Sequence, residues 1–561
     1  MPMVTPHIAT AESQSARKRA HPCMTIPARF LFLALLALYL TSAAAAATSG
    51  HATLFALQQH KFNGSLFKHG GNPVSLDHLS HLQWRDSKRR SRVLSEADPV
   101  SFRLGGIADP NIAGLYFTEI QLGNPPSKYY VQVDTGSDLL WVNCANCRTC
   151  SRTTDLGVHL ALYDPGASST SSRVLCGDNY CNAASSGCLA EEACVYQLGY
   201  GDGSSSEGFF VRDSLQLNIV AKNSSINASA IVAFGCGTRQ GGELRSSDQA
   251  LDGILGFGQS SLSIISQLRS KNEAPGVFAH CLENDGEGGG ILVIGKVQAP
   301  GLVYTPILQN TPHYNVDLKS ISVKDVSIPI DSSASPNGGT IVDSGTTLTY
   351  LSDAAYEPLL KAIFDAMPVG TSRFRWQGMI CVPYTESVDE VFPTVTFTFD
   401  GDGAGSDMII RPLEYLIQVE GQPGQGWCIG FQTTGSSALN LNILGDLVLK
   451  DRLVVYDLEQ QRIGWVDYDC GSNVTVLSST GQRTNVLSST IPMGSAGYSM
   501  YLRKALGEYR QMLVSGSICF LHHQFSRVAC EVTQTRVTQI SYGNCLNIWQ
   551  GYDHRRGRQR T

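Results

Sequence analysis

One short pattern occurs twice in this chain. Val131-Gln132-Val133-Asp134-Thr135-Gly136-Ser137 is echoed by Thr340-Ile341-Val342-Asp343-Ser344-Gly345-Thr346. Each copy is followed by an apolar-apolar-Gly segment: Gly253-Ile254-Leu255-Gly256 after the first, Asn442-Ile443-Leu444-Gly445-Asp446 after the second. The two aspartates are 209 residues apart (343 − 134), a separation of domain size. One Asp-Thr-Gly or Asp-Ser-Gly is ordinary turn chemistry. Two copies, each after an apolar strand and each with the same downstream partner, restrict the chain to two similar lobes that face each other.

The surrounding sequence is β-rich. From Gly114 to Cys470, short alternating runs such as Tyr116-Phe117-Thr118-Glu119-Ile120 and Val395-Thr396-Phe397-Thr398-Phe399 lie between Gly, Ser, Asn and Asp clusters. The best helical periods are Leu262–Leu268 and Ala354–Met367. The expected class is therefore all-β and bilobal, with lobes at 114–320 and 321–470 and a cleft between them. A content of 42% hydrophobic and 16% charged residues is globular. The net charge of −6 shows no basic excess, so nucleic acid is not expected as a partner.

Paired carboxylates explain why the motif is doubled. Two carboxyls about 3 Å apart cannot both ionise easily, so one is charged and the other holds a proton. The charged one can act as general base towards a water, and the protonated one can polarise a carbonyl. Asp134 and Asp343 are the candidate catalytic pair, and the proton belongs to the pair rather than to either residue. Gly136 and Gly345 allow a tight turn behind each aspartate, and their amides can donate to the carboxylates. Thr135 and Ser344 offer hydroxyls to bond across the two loops. Ser137 and Thr346 can hold the outer carboxylate oxygens. Neither a metal nor a cofactor is required.

On these residues the stretch from about Gly114 to Cys470 resembles the pepsin-like aspartic protease family, in its plant-type, nepenthesin-like form. The resemblance implies an aspartic endopeptidase that takes peptide or protein substrates in an extended conformation, as a monomer. It also implies a β-hairpin flap over the cleft. Tyr200-Gly201-Asp202-Gly203-Ser204 matches the family's flap motif, making Tyr200 and Gly201 the flap residues. Trp141 matches the tryptophan that can hydrogen-bond the flap tyrosine; core filling is its plainer role. Phe234-Gly235-Cys236-Gly237 and Phe278-Ala279-His280-Cys281 resemble further plant-type signatures, and Cys381 and Cys428 fit a family disulfide.

The chain has 16 cysteines, seven of them between Trp141 and Tyr200: Cys144, Cys147, Cys150, Cys176, Cys181, Cys188 and Cys194. An odd number suggests that one of them pairs outside the insert. The Cys144-x2-Cys147-x2-Cys150 run, with His159, is open to a metal reading, but disulfides suit a secreted chain better.

Residues 1–47 read as a signal region. The apolar run Phe30–Leu40 follows Arg29, precedes the small residues Ser42–Ala47 and is short for a membrane span. A signal anchor is the alternative. Asn-x-Ser/Thr sites at Asn63, Asn223, Asn227 and Asn473 fit a secretory route, which the resemblance would end outside the cell or in a vacuole. Residues 48–105 are basic, with Lys88-Arg89-Arg90-Ser91-Arg92. They read as a linker from composition, and as a removable pro-segment from the resemblance. Residues 471–561 read as a Ser/Thr-rich linker and a basic tail without a hydrophobic run, so no membrane anchor is expected there. The rival to an enzyme is a binding or inhibitor protein on the same fold, which the two intact aspartate motifs disfavour.

Overall fold

The computed structural model describes residues 98–491 except 112, 184–186, 189–192, 222–223, 285–287, 331–338, 386, 402–405, 420–424 and 435–440. The signal region, the basic run at 88–92, Asn63, Asn223 and the tail beyond 491 lie outside the described residues.

Both lobes build the same device. In the first, strand Ser127–Asp134 runs antiparallel to Leu115–Leu122 and parallel to Gly253–Gly256, with Gly256 opposite Asp134. In the second, Thr340–Val342 runs parallel to Asn442–Leu444, with Val342 opposite Leu444. Each Asp loop thus leaves the end of an apolar strand held by a parallel apolar neighbour. Val131, Val133, Ile341, Val342, Leu255 and Leu444 are all buried. This burial sets the register, because a slip of one residue would turn the apolar face to water.

A sheet shared by both halves of the chain lies beneath the loops. Its order is Val303–Pro306, Arg462–Asp467, Arg452–Asp457, Val277–Leu282, Gly290–Ile294 and Val100–Phe102, continuing into the long hairpin Ser205–Ala221/Ser224–Gly241. The remaining strands of the second lobe form three smaller sheets. Arg452 is fully buried in the shared sheet. Its Nη2 lies 2.7 Å from Glu414 and its Nε 3.3 Å from Asp467. Helices are few among the described residues: Ile264–Ser270, capped by Ser263, and Asp353–Ala366 match the two expected periods to within two residues. No helix among the described residues is long and apolar enough to cross a membrane.

Three boundaries differ from the sequence reading. Residues 98–107, assigned to the leader or the gap after it, belong to the body. Val100–Phe102 pairs with Gly290–Ile294, and Leu104–Ile107 with Leu115–Leu122. Buried Val100, Leu104 and Ile107 drive this, in a stretch too short and too interrupted by Arg103, Gly105 and Gly106 to read as strands. The lobe boundary at 320/321 falls inside strand Leu318–Val323. Residues 471–491, assigned to the linker, form a hairpin of Val474–Leu477 and Arg483–Val486 on Lys296–Gln298. Val474, Val476 and Val486 are buried there. Their period-2 spacing was hidden among Ser, Thr and Gly. The segment reaches back to the N-terminal strands through Ser479 to Asp98 and Ile491 N–H to Leu104 O.

Among the described residues six disulfides close the fold: Cys144–Cys236, Cys147–Cys150, Cys176–Cys188, Cys181–Cys194, Cys281–Cys470 and Cys381–Cys428. The unpaired member of the insert is Cys144, whose partner lies on a strand 92 residues away. All three sulfurs of the Cys-x2-Cys-x2-Cys run are in disulfides, and His159 is exposed. Asn227 and Asn473 are exposed.

Candidate active site

The two Asp loops meet. A side-chain carbon added at Gly136 would strike the carboxyl of Asp343, and one at Gly345 would strike that of Asp134. The glycines are therefore needed for the close approach of the opposite acid, as well as for the turn. Asp134 accepts a hydrogen bond from Gly136 N–H at 2.8 Å on Oδ1 and from the Ser137 hydroxyl on Oδ2. Asp343 repeats the arrangement, with Gly345 N–H at 2.8 Å on Oδ1 and Thr346 Oγ1 at 2.6 Å on Oδ2. Both oxygens of each acid are thus oriented by its own lobe, and the two carboxyls lie within hydrogen-bonding reach of each other.

Underneath, the loops are tied crosswise. Ser344 N–H donates to Thr135 Oγ1 at 2.9 Å, and Thr135 N–H donates to Ser344 Oγ at 3.3 Å. Each hydroxyl then donates to a carbonyl of the opposite strand: Thr135 to Val342 O at 3.2 Å, Ser344 to Val133 O at 3.1 Å. Thr135 and Ser344 are buried, so these bonds satisfy groups that water does not reach.

The electrostatics follow from that geometry. Asp134 is buried, and its carboxyl is held well above the usual carboxylate range. Burial contributes most, and the neighbouring Asp343 adds to it; the Ser137 and Gly136 bonds pull the other way. A third acid, Asp446, lies close by and is fully enclosed. Burial first, and then Asp343, raise its pKa, and its Oδ1 has no hydrogen-bond partner among the described residues. Sequence reading recorded Asp446 only as the end of a strand motif.

Tyr200 sits at the turn of the hairpin Val195–Gly199/Ser205–Ala221, with its hydroxyl accepting from Trp141 Nε1–H at 2.7 Å. Burial first, and the charge of Asp134 second, keep that hydroxyl protonated. Gly201 is exposed and has room for a side chain; the glycine that this turn requires is Gly203, at φ +85°. Trp141 is buried beneath the hairpin with Tyr196, Phe210 and the Cys181–Cys194 disulfide, so it is core as well as donor.

Comparison with known proteins agrees with the geometry. Residues 116–296 match the family described as "Xylanase inhibitor N-terminal" and residues 313–467 match "Xylanase inhibitor C-terminal". The chain is 43% identical to aspartic proteinase 36 of Arabidopsis thaliana over 72% of its own length and 83% of the relative's. It is 40% identical to aspartic proteinase 39 of the same plant, over 75% and 86%. Among solved structures, basic 7S globulin from soybean superposes with a TM-score of 0.52 at 21% identity, covering 66% of this chain and 95% of the globulin. At that identity the likeness speaks for the bilobal fold alone.

Proposed function

The chain belongs to the pepsin-like aspartic proteinase family, and on that premise we propose that it is an endopeptidase using Asp134 and Asp343 as one acid–base unit. The observation that carries the proposal is the matched hydrogen-bond set around the two carboxyls, with each acid reaching into the space above the other's glycine.

In this reading a water sits between the two carboxyls. The ionised partner takes a proton from it as the oxygen attacks the peptide carbonyl carbon. The protonated partner donates to the carbonyl oxygen and stabilises the tetrahedral intermediate. The C–N bond then breaks, the leaving nitrogen takes a proton, and the pair returns to its singly protonated state. The raised pKa of Asp134 supports this, since a shared proton must be held at the pH of work. The Thr135–Ser344 cross-tie keeps the separation fixed. Tyr200, braced by Trp141, would close over an extended substrate held by main-chain bonds.

Six disulfides fit an oxidising compartment. We extend the reading to a secretory route with a signal segment, glycans at exposed Asn227 and Asn473, and a basic pro-segment that ends before Asp98. Purified protein should cleave denatured globin in acid, at about pH 4, and pepstatin should stop it. A folded protein that binds pepstatin or peptides without cleaving would instead favour the binding-protein reading.

A further inference from the structure

The shared sheet puts a polar chain directly under the cross-tie. Phe278 pairs with Tyr456 across the sheet, and His280 pairs with Val454. Phe278, His280 and Tyr456 therefore project from one face, with His280 diagonal to Tyr456. Phe278 stacks on the Tyr456 ring (centroids 4.4 Å, 3° between planes), and Tyr314 packs beside it at 4.8 Å. So pinned, the Tyr456 hydroxyl lies 3.3 Å from Thr135 Oγ1 and 3.3 Å from His280 Nε2.

Donor counting gives this chain a direction. Thr135 has one hydroxyl proton, directed to Val342 O, and it already accepts from Ser344 N–H. Its free lone pair is left for Tyr456, which must donate. The tyrosine oxygen can then accept from His280, which places the imidazole proton on Nε2. His280 Nδ1 is left buried without a partner among the described residues. A buried acceptor without a partner is costly, and an apolar side chain in its place would avoid that cost.

We propose that His280 and Tyr456 are positioning residues for the aspartate pair: His280 Nε2–H fixes the Tyr456 hydroxyl, which holds Thr135 and hence the spacing of the two Asp loops. The inference rests on the acid-pair reading given above. Burial keeps His280 neutral, as the relay requires. The titratable groups packed around the relay are Tyr314, Asp343 and Asp446, with Lys450 beyond Asp446. The relay is blind to pH while these keep their charges. What it sets is how strongly the two carboxyls feel one another, and so how far apart the limbs of the pH–rate curve lie.

The test uses the full chain with Tyr456→Phe, His280→Leu and His280→Gln, assayed on one peptide across pH. Tyr456→Phe should lower kcat on the order of tenfold with KM within about twofold, because a misplaced pair loses rate more than binding. Its bell-shaped profile should narrow by about half a pH unit or more, as the looser acids couple less. His280→Leu should behave alike, and His280→Gln, which restores an N–H donor, should recover most of the lost rate. Wild-type kcat and bell width in Tyr456→Phe would overturn the proposal, as would equal behaviour of the Leu and Gln variants. If Tyr456→Phe does not fold, the His280 pair decides. If wild type cleaves nothing, the enzyme reading falls instead. The relay is then judged by the imidazole nitrogen NMR signals of His280: an Nε2–H tautomer perturbed by Tyr456→Phe sustains it, and an unperturbed signal refutes it.

Discussion

Replacing His280 with glutamine should make the fold more resistant to acid, by an amount that burial of the imidazole sets. The ordinary imidazole pKa is 6.5, and enclosure among Phe278, Tyr456 and the strands around them pulls it down to about 3. The folded state thus stays neutral where the unfolded chain already binds a proton. The unfolded state binds more protons below pH 6.5, so stability falls as pH falls, and the loss ends only near the folded pKa. A full unit is worth about 1.4 kcal/mol, and because the unfolded imidazole is half protonated at its own pKa, the fall from about pH 6.5 to about pH 4.5 removes about 2 kcal/mol. Glutamine does not titrate and keeps an N–H donor for Tyr456. Asp446 works in the opposite sense, since its raised pKa favours the folded state in acid, but it is common to both proteins. Urea unfolding of wild type and His280→Gln across that interval measures the difference directly. It should shift by about 2 kcal/mol in favour of the variant as pH falls. A difference that does not change with pH would mean that His280 protonates freely inside the fold, and the burial argument would be wrong.

Two other substitutions separate site from scaffold. Trp141→Phe removes the donor to the Tyr200 hydroxyl while keeping an aromatic ring in its core position. A neutral bond of this kind is worth about 0.5–1.5 kcal/mol, so KM in a peptide assay should rise roughly two- to tenfold, while the space left by the smaller ring should lower the melting temperature by roughly a few degrees. Arg452→Ala empties a fully buried site in the shared sheet, removes one partner of Glu414, and takes the donor from the Val448 and Ile409 carbonyls. It should lower urea stability by about 3 kcal/mol, read as a shift in unfolding midpoint.

Much of the site was legible because its parts are contiguous. Asp, hydroxyl residue, Gly and hydroxyl residue lie within four positions in each loop, and the parallel strands that support them carry their own apolar signature. What could not be read depends on pairings across the fold. Cys144 meets Cys236 only because strand Trp141–Asn143 lies beside the end of Ser224–Gly241. His280 lies in an apolar strand 176 positions from Tyr456, and nothing local in Phe278-Ala279-His280-Cys281 indicates a polar contact. The hairpin 471–491 was lost to its composition: Ser, Thr and Gly are residues of both turns and exposed strand faces, and three buried valines, two on one strand and one on the other, are a faint signal. In the hairpin turn at Tyr200, both glycines of Tyr-Gly-x-Gly read alike, and only the positive φ of Gly203 separates the constrained one from Gly201.

The central claim is that two carboxyls act as one unit, and replacing each in turn tests it most directly. Asp134→Asn and Asp343→Asn are nearly isosteric, and either leaves the other acid without a partner to share a proton. Peptide cleavage by each purified, folded variant should fall on the order of 10⁴-fold, to a similar residual rate. Either variant cleaving within about tenfold of wild type would contradict the paired mechanism.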